Sequence, residues 1–207
     1  MKARIAHSLF LIACLLTGTV QAAAQSPDLI VKETADGVIE RIEKDRSMLE
    51  SNPEKIYDLV DELVIPHFDF ISMSKWVLGK NWKAANDAQR TEFVEQFKTL
   101  LVRTYARALL EYSGQKIKYY PAEQKPDSNL AVVKTEFTGS GTKPFPVAYR
   151  MHQQDAQWKV VDVAVDGVSL VSTYRGSFSS QIKKNVFDAL IQELAEKNAK
   201  LASTTAK

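Results

Sequence analysis

Carboxylates are plentiful in this 207-residue sequence, but most lie on the polar faces of helices, which leaves few residues placed to carry out chemistry. Asp162 is the first, a carboxylate inside an otherwise apolar run from Trp158 to Val165. A carboxylate held among apolar side chains can serve as a general base. No partner acid can be named from spacing, and Asp162 could equally sit at a sheet edge or pair with Arg150 across a hairpin. Ser169 lies in Gly167-Val-Ser-Leu-Val171, which keeps only the first glycine and the serine of a nucleophile elbow. His67 and His152 are far apart, without a second histidine at ligand spacing, so a histidine metal site is not expected. Gly139-Ser-Gly-Thr-Lys143 has Thr-Lys where a phosphate loop has Lys-Ser/Thr, and a proline follows; it reads as a hairpin turn. What remains is one phenol, Tyr174, and one guanidinium, Arg175. The guanidinium could meet a phosphate or fix the last helix by hydrogen bonds.

These residues sit in a stretch, Trp158 to Phe178, that opens as a strand. Strict alternation places Val161, Val163 and Val165 on one face and Trp158, Val160, Asp162 and Ala164 on the other. Asp166-Gly167 breaks the strand. An apolar segment then leads through Arg175-Gly176 into a final helix over about 177–201, striped by Phe178, Ile182, Val186, Leu190 and Leu194.

Upstream, helical spacing covers 28–49, a segment from Pro53 that breaks at Pro66, 68–82, and a long helix over about 87–113. The period then falls to two. Strands are expected at 117–120, 130–137 and 145–151, the last with Phe145, Val147, Tyr149 and Met151 on one face and Pro146 marking an edge or a bulge. The last two strands read as a hairpin. Helices segregated from an antiparallel sheet define a single α+β domain with four strands.

The N-terminus has a charged start, an apolar run from Leu9 to Val20 and an Ala-x-Ala site, the pattern of a cleaved secretory leader over residues 1–24. Leu11-Ile-Ala-Cys14 loosely resembles a lipoprotein box, the alternative processing site. Loss of residues 1–24 removes Lys2, Arg4 and the only cysteine, Cys14, and leaves basic and acidic residues equal in number. Such a balance argues against bulk electrostatic binding of nucleic acid. Several faces carry large apolar side chains at once. Periodicity does not say whether they fill one another or line a cavity.

The segment 158–178 resembles the signature of the MlaC (toluene-tolerance) family: a Trp-Lys-Val-x-Asp-Val strand, a Gly-Val-Ser-Leu turn, then Tyr-Arg and a Phe before the last helix. Phe68-Asp69-Phe70, Met73-Ser74, Trp76-Val77-Leu78-Gly79 and the Phe93–Leu100 helix are similar to the family as well, so the likeness spans the mature chain, 25–207. One departure is Ala156, where a glycine is expected. The resemblance implies an NTF2-like fold, a curved, mostly antiparallel sheet wrapped by helices around a deep apolar pocket. It implies a periplasmic phospholipid carrier of a Gram-negative bacterium, with lipid as cargo and no cofactor. Its implied partners are an inner-membrane ABC transporter complex with a ring-forming lipid-binding subunit, and an outer-membrane lipoprotein–porin complex. The chain is expected to be a monomer and not an enzyme. On that fold, candidate wall residues are Tyr105, Leu109, Val147, Tyr149, Met151, Val163, Val168, Leu170, Val171, Phe178 and Ile182, with Tyr174 and Arg175 near the mouth. The alternative on the same fold is a small-molecule isomerase or dehydratase with Asp162 as base.

Overall fold

The computed structural model describes residues 25–139, 142–184 and 187–205. The expected leader, the tip of the 139–142 turn and Val186 lie outside them. The first helix, α1 (Pro27–Lys44), carries a proline in its first turn, where a missing N–H goes unnoticed. It stops at Asp45, and α2 (Arg46–Ser51) follows, so the expected 28–49 helix is two. Then come α3 (Lys55–Leu63) and a 3-10 turn, Ile65–His67, built around Pro66. Asp69 caps α4 (Phe70–Leu78) by accepting from the Ser72 N–H at 2.9 Å. Gly79 ends α4 at a φ of +54°, before a short α5 (Asn81–Ala84). The capping box of Asn86 and Gln89 starts α6 (Asp87–Tyr105). Past Tyr105 the chain tightens into a 3-10 segment, Ala106–Glu111, instead of continuing as one helix to 113.

The sheet is open and antiparallel throughout. Among the described residues it holds six strands rather than the expected four: β1 (Lys116–Tyr119), β2 (Glu123–Gln124), β3 (Leu130–Gly139), β4 (Thr142–Gln154), β5 (Gln157–Val165) and β6 (Val168–Ser169). The order is β1-β3-β4-β5-β6, with β2 on β3. Two-residue strands such as β2 and β6 are too short to show a period of two. Pro146 lies on the central strand β4, but beyond the last β5 pair. Its carbonyl accepts from Asp166 N at 3.0 Å, and its ring nitrogen has no strand opposite it on that side.

Directly paired residues share a face. Val133, Thr135 and Phe137 therefore join Tyr149, Val147 and Phe145 on one side of the sheet, with Phe137 and Phe145 stacked at 5.1 Å. On β5 the expected alternation fails. Arg150 pairs with Asp162 but Met151 pairs with Val160, which leaves Val161 as a bulge. Val160 and Val163 consequently fall on the same side as Met151 and Tyr149. Val161 turns away into a helical core with Val171 and Phe178.

That core is formed by α4, α6, α7 (Leu170–Lys184) and α8 (Phe187–Thr205); helix begins at Leu170, before the expected start near 177. Phe93, Phe97 and Phe178 meet there at centroid distances of 5.7–5.9 Å. Two further clusters lie along α1. At its start Ile30 and Val31 pack on Ala131, Val133, Met151, Trp158 and Val160. Toward its end Val38 and Ile42 pack with Ile56, Leu59, Val60 and Ala106.

Asp155 and Ala156 form the two-residue β4–β5 turn at φ +51° and +61°. Such turns favour glycine at the second position, and a left-handed alanine costs about 1–2 kcal/mol. Ala156→Gly should therefore raise the unfolding free energy by about 1 kcal/mol in urea titration. An unchanged or lower midpoint would contradict the turn geometry.

Candidate functional site: a cavity between the first helix and the sheet

The side of the sheet facing α1 is not fully filled. Between them lies an apolar cavity of about 350 Å³. Its roof is α1, through Ile30, Val31, Ala35, Val38, Ile39 and Ile42. Its floor is Ile117, Phe137, Tyr149, Val160, Val163 and Val165, one residue or more from each of the four larger strands. Its sides are Val64, Ile65 and Phe68 around the 3-10 turn, Phe70 and Met73 of α4, and Leu101, Tyr105, Ala106 and Leu109 around the end of α6. The lined length is about 18 Å along α1 from Ile30 to Ile42 and about 16 Å along β5 from Val160 to Val165.

Polar groups on the wall are few. Burial raises the pKa of Tyr149 above the ordinary phenol value, so it stays a neutral hydroxyl. Burial, then the charge of Lys159, lowers the pKa of His67, which favours its neutral form. Thr34 presents a hydroxyl that is buried and without a hydrogen-bond partner. Tyr119 closes the sheet edge to the roof by donating to Asp36 on α1 at 2.7 Å. Among the described residues no group of three or more His, Cys, Asp or Glu could hold a metal ion, and no helix is long and apolar enough to cross a membrane.

Of the residues expected on the wall, Tyr105, Leu109, Tyr149, Val163 and Leu170 line the cavity. Val147 and Met151 are buried on the same side of the sheet, and Met151 packs against the start of α1. Val168 is paired with Val165 and is 62% exposed. Val171, Phe178 and Ile182 pack in or against the helical core, because α7 lays its apolar face on α4, α6 and Val161 of β5, on the side of the sheet away from the cavity. Tyr174 stacks edge-on against Phe97 at 5.4 Å, and burial, then the neighbouring Tyr105, raise its pKa. Arg175 is not at a mouth. Its guanidinium lies across Gly79, 3.1 Å from where a Cβ would stand, at a position whose positive φ already favours glycine.

Sequence reasoning missed the roof. The stripe of α1 was visible, but a stripe that faces a hollow has the same period as one that faces a core. It also missed Val160, because the bulge at Val161 reverses its facing.

Asp162 is 3% exposed and is engaged away from the cavity wall. It accepts from Ser169 Oγ at 2.6 Å and from Val171 N at 3.1 Å, while Arg150 Nη1 stands 4.0 Å off. Ser169 in turn accepts from Ser172 N at 3.0 Å. The pair therefore caps the start of α7 and ties it to β5.

A helix-roofed antiparallel sheet around a nearly unbroken apolar cavity defines a class, the α+β domains with an apolar cavity between helix and sheet. Comparison with known proteins narrows it. The family model described as MlaC protein matches residues 32–196, and the chain belongs to that family. It is 30% identical over 164 residues to the toluene tolerance protein ttg2D of Pseudomonas putida, covering 79% of this chain and 76% of that one. It is 24% identical over 190 residues to the intermembrane phospholipid transport system binding protein MlaC of Haemophilus influenzae, covering 90% and 89%. The fold matches the phospholipid-binding protein from Ralstonia solanacearum, solved in complex with a phospholipid, with a TM-score of 0.79 and 32% identity over 86% of this chain and 99% of that one.

Asp162→Ala should lower the unfolding free energy by about 2–4 kcal/mol, since it removes two hydrogen bonds to a buried carboxylate. Binding of an apolar fluorescent dye by the folded fraction should be unchanged. Loss of dye binding without loss of stability would place Asp162 in the site instead.

Proposed function

We propose that this protein is a periplasmic carrier that takes the acyl chains of a phospholipid into the α1–sheet cavity. The observation that carries the reading is the apolar lining over about 16–18 Å. That length is close to the roughly 15 Å that one leaflet contributes to a 30 Å hydrocarbon core. Two acyl chains hold about thirty methylenes, and each costs about 0.8 kcal/mol to expose to water, so free diffusion of the lipid is opposed by more than about 20 kcal/mol. A carrier need only match the bilayer for transfer to be nearly balanced. The residues that do so are aliphatic and aromatic side chains, and no bond need be made or broken.

On this reading residues 1–24 direct export and are removed, and residues 25–207 act as one monomeric domain. The protein moves lipid between outer and inner membranes and so maintains lipid asymmetry of the outer membrane. Its partners are then an inner-membrane ABC transporter complex with a ring-forming lipid-binding subunit and an outer-membrane lipoprotein–porin complex. No nucleic acid and no cofactor are involved. The likeness to the intermembrane phospholipid transport protein of Haemophilus and to the Ralstonia protein solved with a phospholipid supports the assignment of cargo.

Ala35 lies on the roof with only a methyl group toward the cavity. Ala35→Trp should reduce phospholipid recovered by solvent extraction, and uptake from vesicles, by about tenfold, an effect of about 1.4 kcal/mol. Its melting temperature after delipidation should match that of the delipidated parent. Full lipid content in a folded Ala35→Trp protein would contradict the placement of the cargo.

A further inference from the structure

From Gln25 onward basic and acidic side chains are equal in number, but they are not evenly mixed. Residues 28–62, which form the roof helix α1 with α2 and α3, carry eleven carboxylates against five basic side chains. The helices α4, α5 and α7 have the opposite sign, and none of the three contains a carboxylate.

Their basic side chains gather around Trp82. Lys75 Nζ lies 5.9 Å from the centre of the Trp82 ring, and the Arg90 guanidinium 5.5 Å from it. Lys80 and Lys83 flank Trp82 in the chain and are exposed. Arg175, also exposed, reaches from α7 to Gly79, three residues before Trp82. Arg90 fixes the corner to α6, donating from Nε to the Trp82 carbonyl at 3.0 Å, and its Nη1 pairs with Asp87. The other four cations are not neutralised in this way. Lys32, Arg41, Lys55, Lys98 and Lys134 each form an ion pair. Among the described residues Lys75, Lys80, Lys83 and Arg175 form none.

Four exposed charges of one sign around a half-buried indole attract anions. The composition selects the kind of partner. Lysine is depleted from protein–protein interfaces, and three of these four cations are lysines. Neither the cavity nor the smaller void beside it reaches the corner, so neither supplies a pocket for a partner's anchoring side chain. Long basic side chains beside a tryptophan suit a plane of phosphates. There the apolar stems lie along the headgroups, and each charge strengthens attachment about fivefold.

We propose that the Trp82 corner docks on an anionic phospholipid surface, with Lys75, Lys80, Lys83 and Arg175 against headgroup phosphates and the acidic roof turned away. The attachment is electrostatic, hence reversible and weakened by salt. It goes beyond the carriage of lipid in the cavity, because it sets how the protein meets a membrane whether or not the cavity is filled.

Co-sedimentation with vesicles of phosphatidylcholine, alone or mixed with phosphatidylglycerol, tests this. The protein should bind the mixed vesicles at low salt, lose them at high salt, and leave the neutral vesicles unbound. Lys80→Glu combined with Lys83→Glu should weaken binding more than about 25-fold, since two attractions become repulsions. Both positions are exposed, so the urea midpoint and the lipid recovered by solvent extraction should match those of the parent. Residues from Gln25 onward include no cysteine. A fluorophore at Ala84→Cys, exposed on α5, and one at Met48→Cys, exposed on α2, therefore report which side faces the membrane. A lipid with a nitroxide on its headgroup should quench the first strongly and the second little. Equal binding by the double variant, or stronger quenching at 48, would overturn the proposal. So would an absence of vesicle binding, including the case in which the same charge reversal abolishes a complex with an acidic protein instead. Binding to anionic vesicles by a protein whose cavity takes up no lipid would support the docking surface and contradict only the carrier reading.

Discussion

The structure depends on an apolar space that its own side chains do not fill. Protein interiors are normally packed as densely as organic crystals. An apolar space of about 350 Å³, left unfilled, would forfeit dispersion contacts worth on the order of several kcal/mol. That is a large part of the 5–15 kcal/mol by which domains are usually stable. A ligand that enters such a space restores those contacts and is bound by the same effect that drives folding.

Keeping the space open requires that neighbouring elements be held by other means. The helical core of α4, α6, α7 and α8 does this on one side. Its phenylalanines pack on one another, and α7 meets the sheet through Val161, on the side away from the cavity. The Asp162–Ser169 cap locks α7 to β5. Near the other end, the Asp69 N–H donates to the Val160 carbonyl at 3.0 Å and Lys159 to Pro66, so the 3-10 turn is pinned to the same strand. The Asp69 carboxyl is pulled up by burial but held below its usual pKa by Ser72 and by His152, whose Nε2 stands 2.9 Å away without the alignment of a hydrogen bond. The bulge at Val161 serves both sides at once, giving one valine to the helical core and the next pair, Val160 and Val163, to the cavity floor. A single strand therefore carries most of the joints that separate the filled half of the molecule from the hollow half.

Much of this architecture could be read from residue order. The alternation of Phe145, Val147, Tyr149 and Met151 gives the cavity side of β4, and the helical spacing that begins near 87 gives the start of α6. The resemblance of Trp158–Phe178 identified the family, and the family model agrees. Breaks within helices were less legible, because Asp45 and Tyr105 are not helix breakers by type and the chain turns there through tertiary packing. The site was the least legible part. Phe178 and Ile182 have the same spacing as Val38 and Ile42, yet only the latter pair looks into the cavity, and no local property distinguishes a stripe with a partner from one without. Arg175 could be read either as a phosphate contact or as a structural group at the last helix, and its guanidinium stands beside Gly79, ninety-six residues earlier in the chain.

The central claim is that the cavity is a lipid site and not a packing defect. Native mass spectrometry of the protein isolated from the periplasm of the producing bacterium tests it most directly. The account predicts a dominant species heavier than the polypeptide by one phospholipid, which releases that lipid on collisional activation. A spectrum showing only the bare polypeptide, from protein that remains folded and takes up no phospholipid from vesicles, would contradict it.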